Sequence, residues 1–563
     1  MEEFDYVIVG AGSAGCVLAD RLSEDGRSSA LVLEYGGSDR SIYIQMPTAL
    51  SIPMNMPRYN WGFQTEPEPG LGGRRIQTNR GKVLGGSSSI NGMVYVRGNP
   101  LDFERWREAG AAGWSYGEVL PYFKRAESRA EGGNDYRGDA GKLQTSYGTL
   151  ENPLHAAWLA AAKQAGYPFS QDLNGQQQEG FGRLDMTVGN GRRCSAANAY
   201  LKPAMQRANL AVRTGALVTK IDFEGARAVG VRYRLGARAG ANGPTVGDGP
   251  ETMVRARREV ILCAGPINSP QLLKVSGVGP GAELSALGIP VVRSLAGVGE
   301  NLQDHLEFYF QVACREPITL FSRLSPLSRL LIGMRWVLRH DGLGASNHFE
   351  TGGFIRSRAG IRYPNIQYHF LPLAVSYDGA TLAKEHGFQA HVGPMRTQSR
   401  GWVRLATPRV EDHPKIFFNY MSHPEDWEEM RACLRLTREL FAQTAFDRYR
   451  GRELKPGAEV QTDAQIDAFI RAHAQTAYHP ACSCQMGAPD DPMTVVDSQG
   501  RVVGLDNLRV VDSSIMPSIT TGNLNAPTIM LAEKMADAIL GKTPLPASTA
   551  PYFVAEHWQS RQR

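Results

Sequence analysis

The first thirty-odd residues switch between two hydrophobic periods. Residues 6–9 form a short apolar, β-branched run, the pattern of a buried parallel strand. Gly10-Ala11-Gly12-Ser13-Ala14-Gly15 follows, residues 16–22 have the pattern of a packed helix, and residues 30–34 return to a strand. Further strand patterns stand at 228–234, 252–254, 260–263 (ending at Ala264-Gly265-Pro266) and 509–511 (ending at Asp512). Strands with Gly-rich ends at the start, middle and end of the chain predict one α/β, Rossmann-like domain built from discontinuous segments, 1–155, 196–310 and 465–545. The intervening 156–195 and 311–464 predict a second, α+β domain with an antiparallel sheet. Residues 236–250, rich in Gly and Ala, read as a flexible hairpin tip or a surface insertion. Residues 546–563 read as a tail that frays.

Gly10, Gly12 and Gly15 stand as G-x-G-x-x-G between a strand and a helix. The first glycine permits a tight turn, the second lets backbone N–H groups approach a pyrophosphate, and the third allows close helix–strand packing. Glu34 ends the second strand, where a carboxylate accepts hydrogen bonds from a ribose diol and disfavours a 2′-phosphate. This predicts a dinucleotide other than NADP; the motif alone does not separate FAD from NAD.

Composition changes the picture little. Across 563 residues the net charge is +5, from 61 basic and 56 acidic side chains, too balanced to imply a nucleic-acid partner. Seven cysteines include one close pair, Cys482 and Cys484, without the spacing of a zinc site, so no metal is expected. Reduced thiols are the plain reading, and a redox pair is the alternative. The N-terminus lacks the basic and small-residue features of a secretory signal, and no run reaches the ~18 apolar residues of a membrane span. A cytoplasmic protein is expected; peripheral attachment to the inner face of the membrane is compatible with that.

Two longer segments carry more information: Gly81-Lys82-Val83-Leu84-Gly85-Gly86-Ser87-Ser88-Ser89-Ile90-Asn91-Gly92, and Gly265-Pro266-Ile267-Asn268-Ser269-Pro270 through Ser276-Gly277-Val278-Gly279. Both resemble the signature segments of the glucose–methanol–choline (GMC) oxidoreductase family, and the resemblance runs from about residue 4 to about residue 540. It implies FAD as cofactor, on a FAD-binding domain beside a substrate-binding domain. The implied FAD contacts are Gly10, Gly12, Ser13, Ala14, Gly15, Glu34, Tyr35, Gly81, Leu84, Gly85, Gly86, Ser87, Asn91, Gly92, Val94, Val218, Ala264, Gly265, Asp512 and Asn525. For Asp512 the alternative is a helix N-cap. Two departures from the family pattern stand out. Ile90 replaces a flavin-linking histidine, so the FAD is expected to be non-covalent. Tyr35 replaces a small residue near the adenosine.

Within the family the stretches 58–69, 346–350, 367–372 and 476–480 are most similar to choline-oxidising members. The resemblance implies His479 as the catalytic base, since an imidazole titrates near operating pH. It implies Asn523 as the amide that stabilises the developing alkoxide. A quaternary ammonium offers no N–H, so its recognition needs aromatic faces and a carboxylate. Glu307, Trp61 and Tyr478 are the candidates, with His369 orienting the alcohol. The expected reaction is choline to betaine aldehyde, extending to betaine through the aldehyde hydrate. Oxidation of another primary alcohol is the alternative, and lyase chemistry on the same fold a more remote one. Oxygen, a quinone or a respiratory carrier remain open as electron acceptor.

Overall fold

The computed structural model describes every residue except 1, 237, 241–242, 246–249 and 376–384. One sheet is built from β1 (Glu2–Val9), β2 (Ala30–Glu34), β3 (Leu210–Thr214), β4 (Ala216–Glu224), β5 (Arg227–Leu235) and β6 (Thr252–Leu262), in the spatial order β3-β2-β1-β6-β5-β4. The β3–β2, β2–β1 and β1–β6 pairs are parallel, while β6–β5 and β5–β4 are antiparallel. Leu508–Val510 pairs parallel with residues 260–262 of β6, so the last part of the chain returns to the centre of the first sheet. Helix α1 (Ser13–Ser23) and α2 (Gly265–Val275) leave β1 and β6 at the same end. The C-terminal helix Asn525–Ile539 packs on α1 and is buried along most of its length.

The two strand patterns at 252–254 and 260–263 are one strand. The polar stretch between them, Arg255 to Glu259, stays in the strand across a register shift against β1, and Arg257 and Arg255 pair outward with Asp5 and Glu224. Of the hairpin at 236–250, Arg238–Gly240 pairs antiparallel with Gly243–Thr245; residues 237, 241–242 and 246–249 lie outside the described residues.

The second sheet is antiparallel: β7 (Leu306–Cys314), β8 (Thr351–Ile355), β9 (Ile366–Leu371), β10 (Gly387–Pro394) and β11 (Arg450–Lys455), in the order β11-β7-β10-β9-β8, with Gly180–Arg183 beyond β8 and Gln475–Thr476 beside β7. Alternation gives it two unlike faces. Phe308, Phe310, Tyr368, Phe370, Phe388 and Val392 point into a core under α4 (Pro424–Ala442). Glu307, Tyr309, His369 and His391 point the other way. Helix α3 (Pro326–Arg339) lies at the edge of this lobe.

Two expected boundaries are corrected. The division at 310/311 falls inside β7, and the core of the second lobe also takes Phe63, Leu71, Ile76, Ile466, Phe469 and Ile470 from segments assigned to the first. Strands and helices run across the seam between lobes, so no turn marks it. The tail is also corrected: residues 546–563 are docked. Ser548 N donates to Gly117 O (2.8 Å), Phe553 N to Gln176 O (2.9 Å), and Arg563 pairs with Glu439 (2.7 Å). The tail's polar groups find partners on the body, which offsets the entropy of ordering it. Deleting residues 546–563 is expected to destabilise the protein by ~2–4 kcal/mol, at roughly 0.5–1.5 kcal/mol for each lost hydrogen bond. A thermal unfolding midpoint equal to that of the full chain would contradict the docking.

Candidate active site

A single cavity of about 310 Å³ runs from the glycine turn after β1 to His479 and Asn523. At the first end the backbones pack without room for side chains. A Cβ on Gly15 would lie 1.9 Å from Gly10 O, and one on Gly86 would lie 2.7 Å from Gly12 Cα. Gly12 itself faces the cavity. It caps α1 without a side-chain bond, so the first backbone N–H groups of that helix point at open space. Glu34 closes this end: its carboxylate accepts from Ala11 N (2.8 Å) and Gly36 N (2.7 Å), and burial pushes its pKa up to about 7. Asn525 Nδ2 donates to Ser13 Oγ (2.9 Å), tying the C-terminal helix to the turn. Bare backbone donors, a helix N-terminus and a ribose-type carboxylate along one elongated cavity fit a dinucleotide.

At the other end the chemistry concentrates. His479 follows Gln475–Thr476, in a loop where Tyr478 takes a left-handed φ of 63°. Asp304 knits this loop: Oδ1 accepts from His479 N (2.7 Å), and Oδ2 accepts from the hydroxyls of Thr476 and Tyr420. Arg80 donates to Tyr478 O, and desolvation lowers its pKa to about 10.

The ring of His479 has its protons assigned by its neighbours. His305 Nε2 lies 3.0 Å from Met395 O, a carbonyl that only accepts, so His305 carries its proton there. His305 Nδ1 is then an acceptor, and at 3.0 Å it takes the Nδ1–H of His479. The lone pair of His479 is therefore on Nε2, where Asn523 Nδ2 donates to it at 3.1 Å. Gln367 fixes the amide: its Nε2 reaches Asn523 Oδ1 (3.1 Å) and His369 Nε2 (3.0 Å). Burial lowers the pKa of His305 and His369 to about 4, and holds His479 well below the usual imidazole value, with His305, His369 and Arg80 adding to the shift. The result is a neutral base with one defined lone pair aimed into the cavity.

Beside this pair lies Glu307. His391 Nδ1 donates to its Oε1 at 3.2 Å, and Gln389 Nε2 approaches His391 Nε2 at 2.7 Å. Tyr309 packs on the His391 ring (4.2 Å between centroids), and Phe349 lies 5.3 Å from His391 and 5.9 Å from His369. A buried carboxylate walled by aromatic rings, next to a base and an amide, can hold an organic cation that carries a hydroxyl.

The family model described as GMC oxidoreductase matches residues 4–307 in its N-terminal part and 397–532 in its C-terminal part. The chain belongs to the GMC oxidoreductase family. It is 55% identical to the oxygen-dependent choline dehydrogenase of Photobacterium profundum, over all of this chain and 97% of that protein. It is 54% identical to the protein of the same name from Brucella ovis, over the whole of both. Among solved structures, pyridoxine 4-oxidase from Mesorbium loti superposes with a TM-score of 0.84 at 31% identity, covering 96% of this chain and all of that one. An FAD-dependent oxidoreductase from Chaetomium thermophilum gives 0.85 at 27% identity, covering 96% and 99%.

Most residues picked out for this GMC oxidoreductase lie on the one cavity: Gly10, Gly12, Ser13, Ala14, Glu34, Tyr35, Gly81, Gly86, Ser87, Asn91, Gly92, Val94, Val218, Ala264, Gly265, Asp512 and Asn525, together with His479, Asn523, Glu307, His369, Trp61 and Tyr478. Three do not line it. Gly15 is pressed on the Gly10 carbonyl, Leu84 is in the hydrophobic core, and Gly85 N donates back to Ala11 O (2.8 Å), so all three shape the wall from behind. Asp512 caps the turn Ser513–Ile515 through Ser514 N, the alternative role weighed for it, holds Gly265 N (2.9 Å), and borders the cavity. Tyr35 packs on Trp61 (5.0 Å), which stacks on Phe63 (5.6 Å) under the Lys82 ammonium. Tyr309 and Phe349, which pack on the His391 ring bonded to Glu307, line the same cavity as Trp61 and Tyr478. Cys482 and Cys484 are both buried free thiols, with the Cys482 pKa raised to about 12 by burial, an inert setting for redox exchange.

His305, Gln367, Tyr309, Phe349 and His391 escaped the sequence reading. The only available signal was the two-residue spacing of Glu307–Tyr309, Gln367–His369 and Gln389–His391 on three strands, which puts polar side chains on one face of a sheet. In protein labelled with ¹⁵N-histidine, His479 is expected to stay neutral with its proton on Nδ1 between about pH 6 and pH 8. A depressed pKa means protonation only as pH falls below the ordinary value of ~6.5. His305→Phe is expected to abolish the single tautomer. A protonated His479 at neutral pH, or a proton on Nε2, would contradict the assignment.

Proposed function

We propose that this GMC oxidoreductase oxidises choline to betaine aldehyde with a non-covalently bound FAD and oxygen as electron acceptor. The observation that carries the substrate is the Glu307 carboxylate among His391, Tyr309 and Phe349, within the same cavity as His479 and Asn523. The relatives named oxygen-dependent choline dehydrogenase support both substrate and acceptor. Ile90 lines the cavity at the position of the family's linking histidine and offers no nucleophile, which supports a dissociable cofactor.

The trimethylammonium group is held by Glu307 and the aromatic walls, and this orients the hydroxyl toward the opposite pair. The alcohol oxygen enters between His479 Nε2 and Asn523 Nδ2, replacing the bond they make with each other. His479 Nε2 takes the hydroxyl proton, and its Nδ1–H still donates to neutral His305, so the imidazolium keeps a partner. The Asn523 amide donates to the developing alkoxide without competing for the proton, an effect worth ~3 kcal/mol when preorganised. FAD, when bound, supplies the acceptor for the hydride that leaves the carbinol carbon.

Anaerobic mixing tests the reading. Choline is expected to bleach the bound flavin, and His479→Ala to slow the bleaching by ~10²–10⁴-fold. Glu307→Gln is expected to weaken choline binding roughly tenfold or more while leaving the uncharged isostere 3,3-dimethylbutan-1-ol nearly unaffected. Equal losses for both alcohols would defeat the assignment of choline, and bleaching by neutral alcohols alone would replace it.

A further inference from the structure

On the reading above, Glu307 meets a cation that cannot aim it. A quaternary ammonium has no N–H, so it cannot fix a carboxylate by hydrogen bonding, and the protein has to do so. Glu307 is buried on β7. A buried carboxylate without a donor is costly, but a charged donor would cancel the negative charge that draws the substrate. The site therefore needs a donor that is neutral and stays neutral.

The second sheet supplies one through a relay of fixed direction. It starts at Val375, whose backbone offers one donor and one acceptor. Val375 O, which only accepts, takes Gln311 Nε2 at 3.3 Å, and this identifies the nitrogen of that amide. Gln311 Nε2 lies 2.8 Å from Gln389 Oε1, and Val375 N donates to the same oxygen at 2.8 Å. With its oxygen held by two donors, Gln389 turns its Nε2 to His391 Nε2, 2.7 Å away. An amide nitrogen only donates, so His391 Nε2 keeps its lone pair and the ring proton stands on Nδ1, 3.2 Å from Glu307 Oε1. An imidazolium would set an N–H against an N–H here. Strand register lines these groups up: Gln311 is opposite Gln389 across β7 and β10, and His391 is opposite His369 across β10 and β9. His369 and His305, the other imidazoles that feel the Glu307 charge, have pKa values lowered to about 4 by burial. The three imidazoles thus leave the negative charge of Glu307 uncancelled at neutral pH.

We propose that Gln389 and His391 are positioning residues for substrate charge: they hold Glu307 in one orientation as an ionised carboxylate, and so set the preference for a quaternary ammonium alcohol over a neutral one. This rests on choline as the substrate. It places part of the selectivity outside the groups that touch the cation, in a fully buried amide, Gln389, that does not line the cavity. The relay also explains why a histidine, rather than a lysine or arginine, stands beside the carboxylate: only an imidazole can donate one hydrogen bond without carrying charge.

Anaerobic flavin reduction in the FAD-loaded full chain reads the preference as the ratio of apparent Kd values for 3,3-dimethylbutan-1-ol and choline. His391→Leu is expected to lower that ratio about tenfold, through loss of one charge-assisted hydrogen bond. His391→Asn is expected to restore most of it, because the Asn Nδ2 falls where the His Nδ1 stands. Gln389→Glu keeps the shape of the relay but faces His391 Nε2 with an acceptor. His391 is then expected to become an imidazolium, visible by ¹⁵N-histidine NMR, and the preference to fall about tenfold or more. In a Glu307→Gln background, His391→Leu is expected to change the ratio by less than about twofold, since the relay acts through the carboxylate. An unchanged preference in both His391→Leu and Gln389→Glu overturns the proposal. So does a loss of equal size with and without the Glu307 carboxylate, or a wild-type His391 that is charged or protonated on Nε2 at neutral pH. A wild type that binds choline no better than the neutral alcohol overturns the choline reading, and this proposal with it; a wild type that prefers choline while both variants match it overturns this proposal alone.

Discussion

The proposed chemistry rests on one imidazole kept uncharged in one tautomer. His479 has no regular element of its own; it sits on a left-handed bend that the chain would not hold unaided. Its position is over-determined by groups from distant segments: Asp304 on its backbone N–H, Arg80 on the carbonyl before it, His305 on Nδ1 and Asn523 on Nε2. Each bond has one permitted direction, because the chain of donors starts from the Met395 carbonyl, which has nothing to give. Burial then removes the competing charged form. Where water would let a histidine sample two tautomers and a cation, this setting leaves one state, and that state is a base.

The two sheets supply the two halves of this arrangement by different means. The parallel sheet uses bare backbone. Its glycines bring chain segments so close that side chains are excluded, and the space left over is a long trough lined by N–H groups and closed by Glu34. The antiparallel sheet uses alternation. One face of β7, β9 and β10 is a packed aromatic core, and the other is a row of carboxylate, imidazole and amide groups. Neither sheet is an active site alone. The seam where β7 passes between lobes brings Glu307 and His305 to the end of the trough, and it hides the domain boundary for the same reason.

Apolar surface follows the same division of labour. Inside, it holds the sheets together and dries the histidine cluster. On α3 it is turned out, flanked by arginines, and anchored by a single tryptophan. The helix is amphipathic in either orientation, so which face meets the protein is decided by Trp336 and the Gly191 carbonyl rather than by its pattern.

Much was legible in the residues alone. Strand–glycine–helix signals at three separated places are local, and they named the nucleotide-binding architecture. The family motifs pointed to His479, Asn523 and Glu307, which the fold brings to one cavity. The rest depended on pairings that local pattern does not encode. Residues 252–262 read as two strands because arginines interrupt the apolar run, yet partners on other strands of the sheet carry those charges. The tail read as loose because its partners, Gly117, Gln176 and Glu439, are remote in sequence. His305, Gln367 and His391 drew no reading from the sequence, since a histidine's role follows from which nitrogen its neighbour can reach. Local motifs thus determined which groups the chain offers; the long-range register of the second sheet decided which lone pair faces the cavity, because a hydrogen bond has a direction only once both partners are in place.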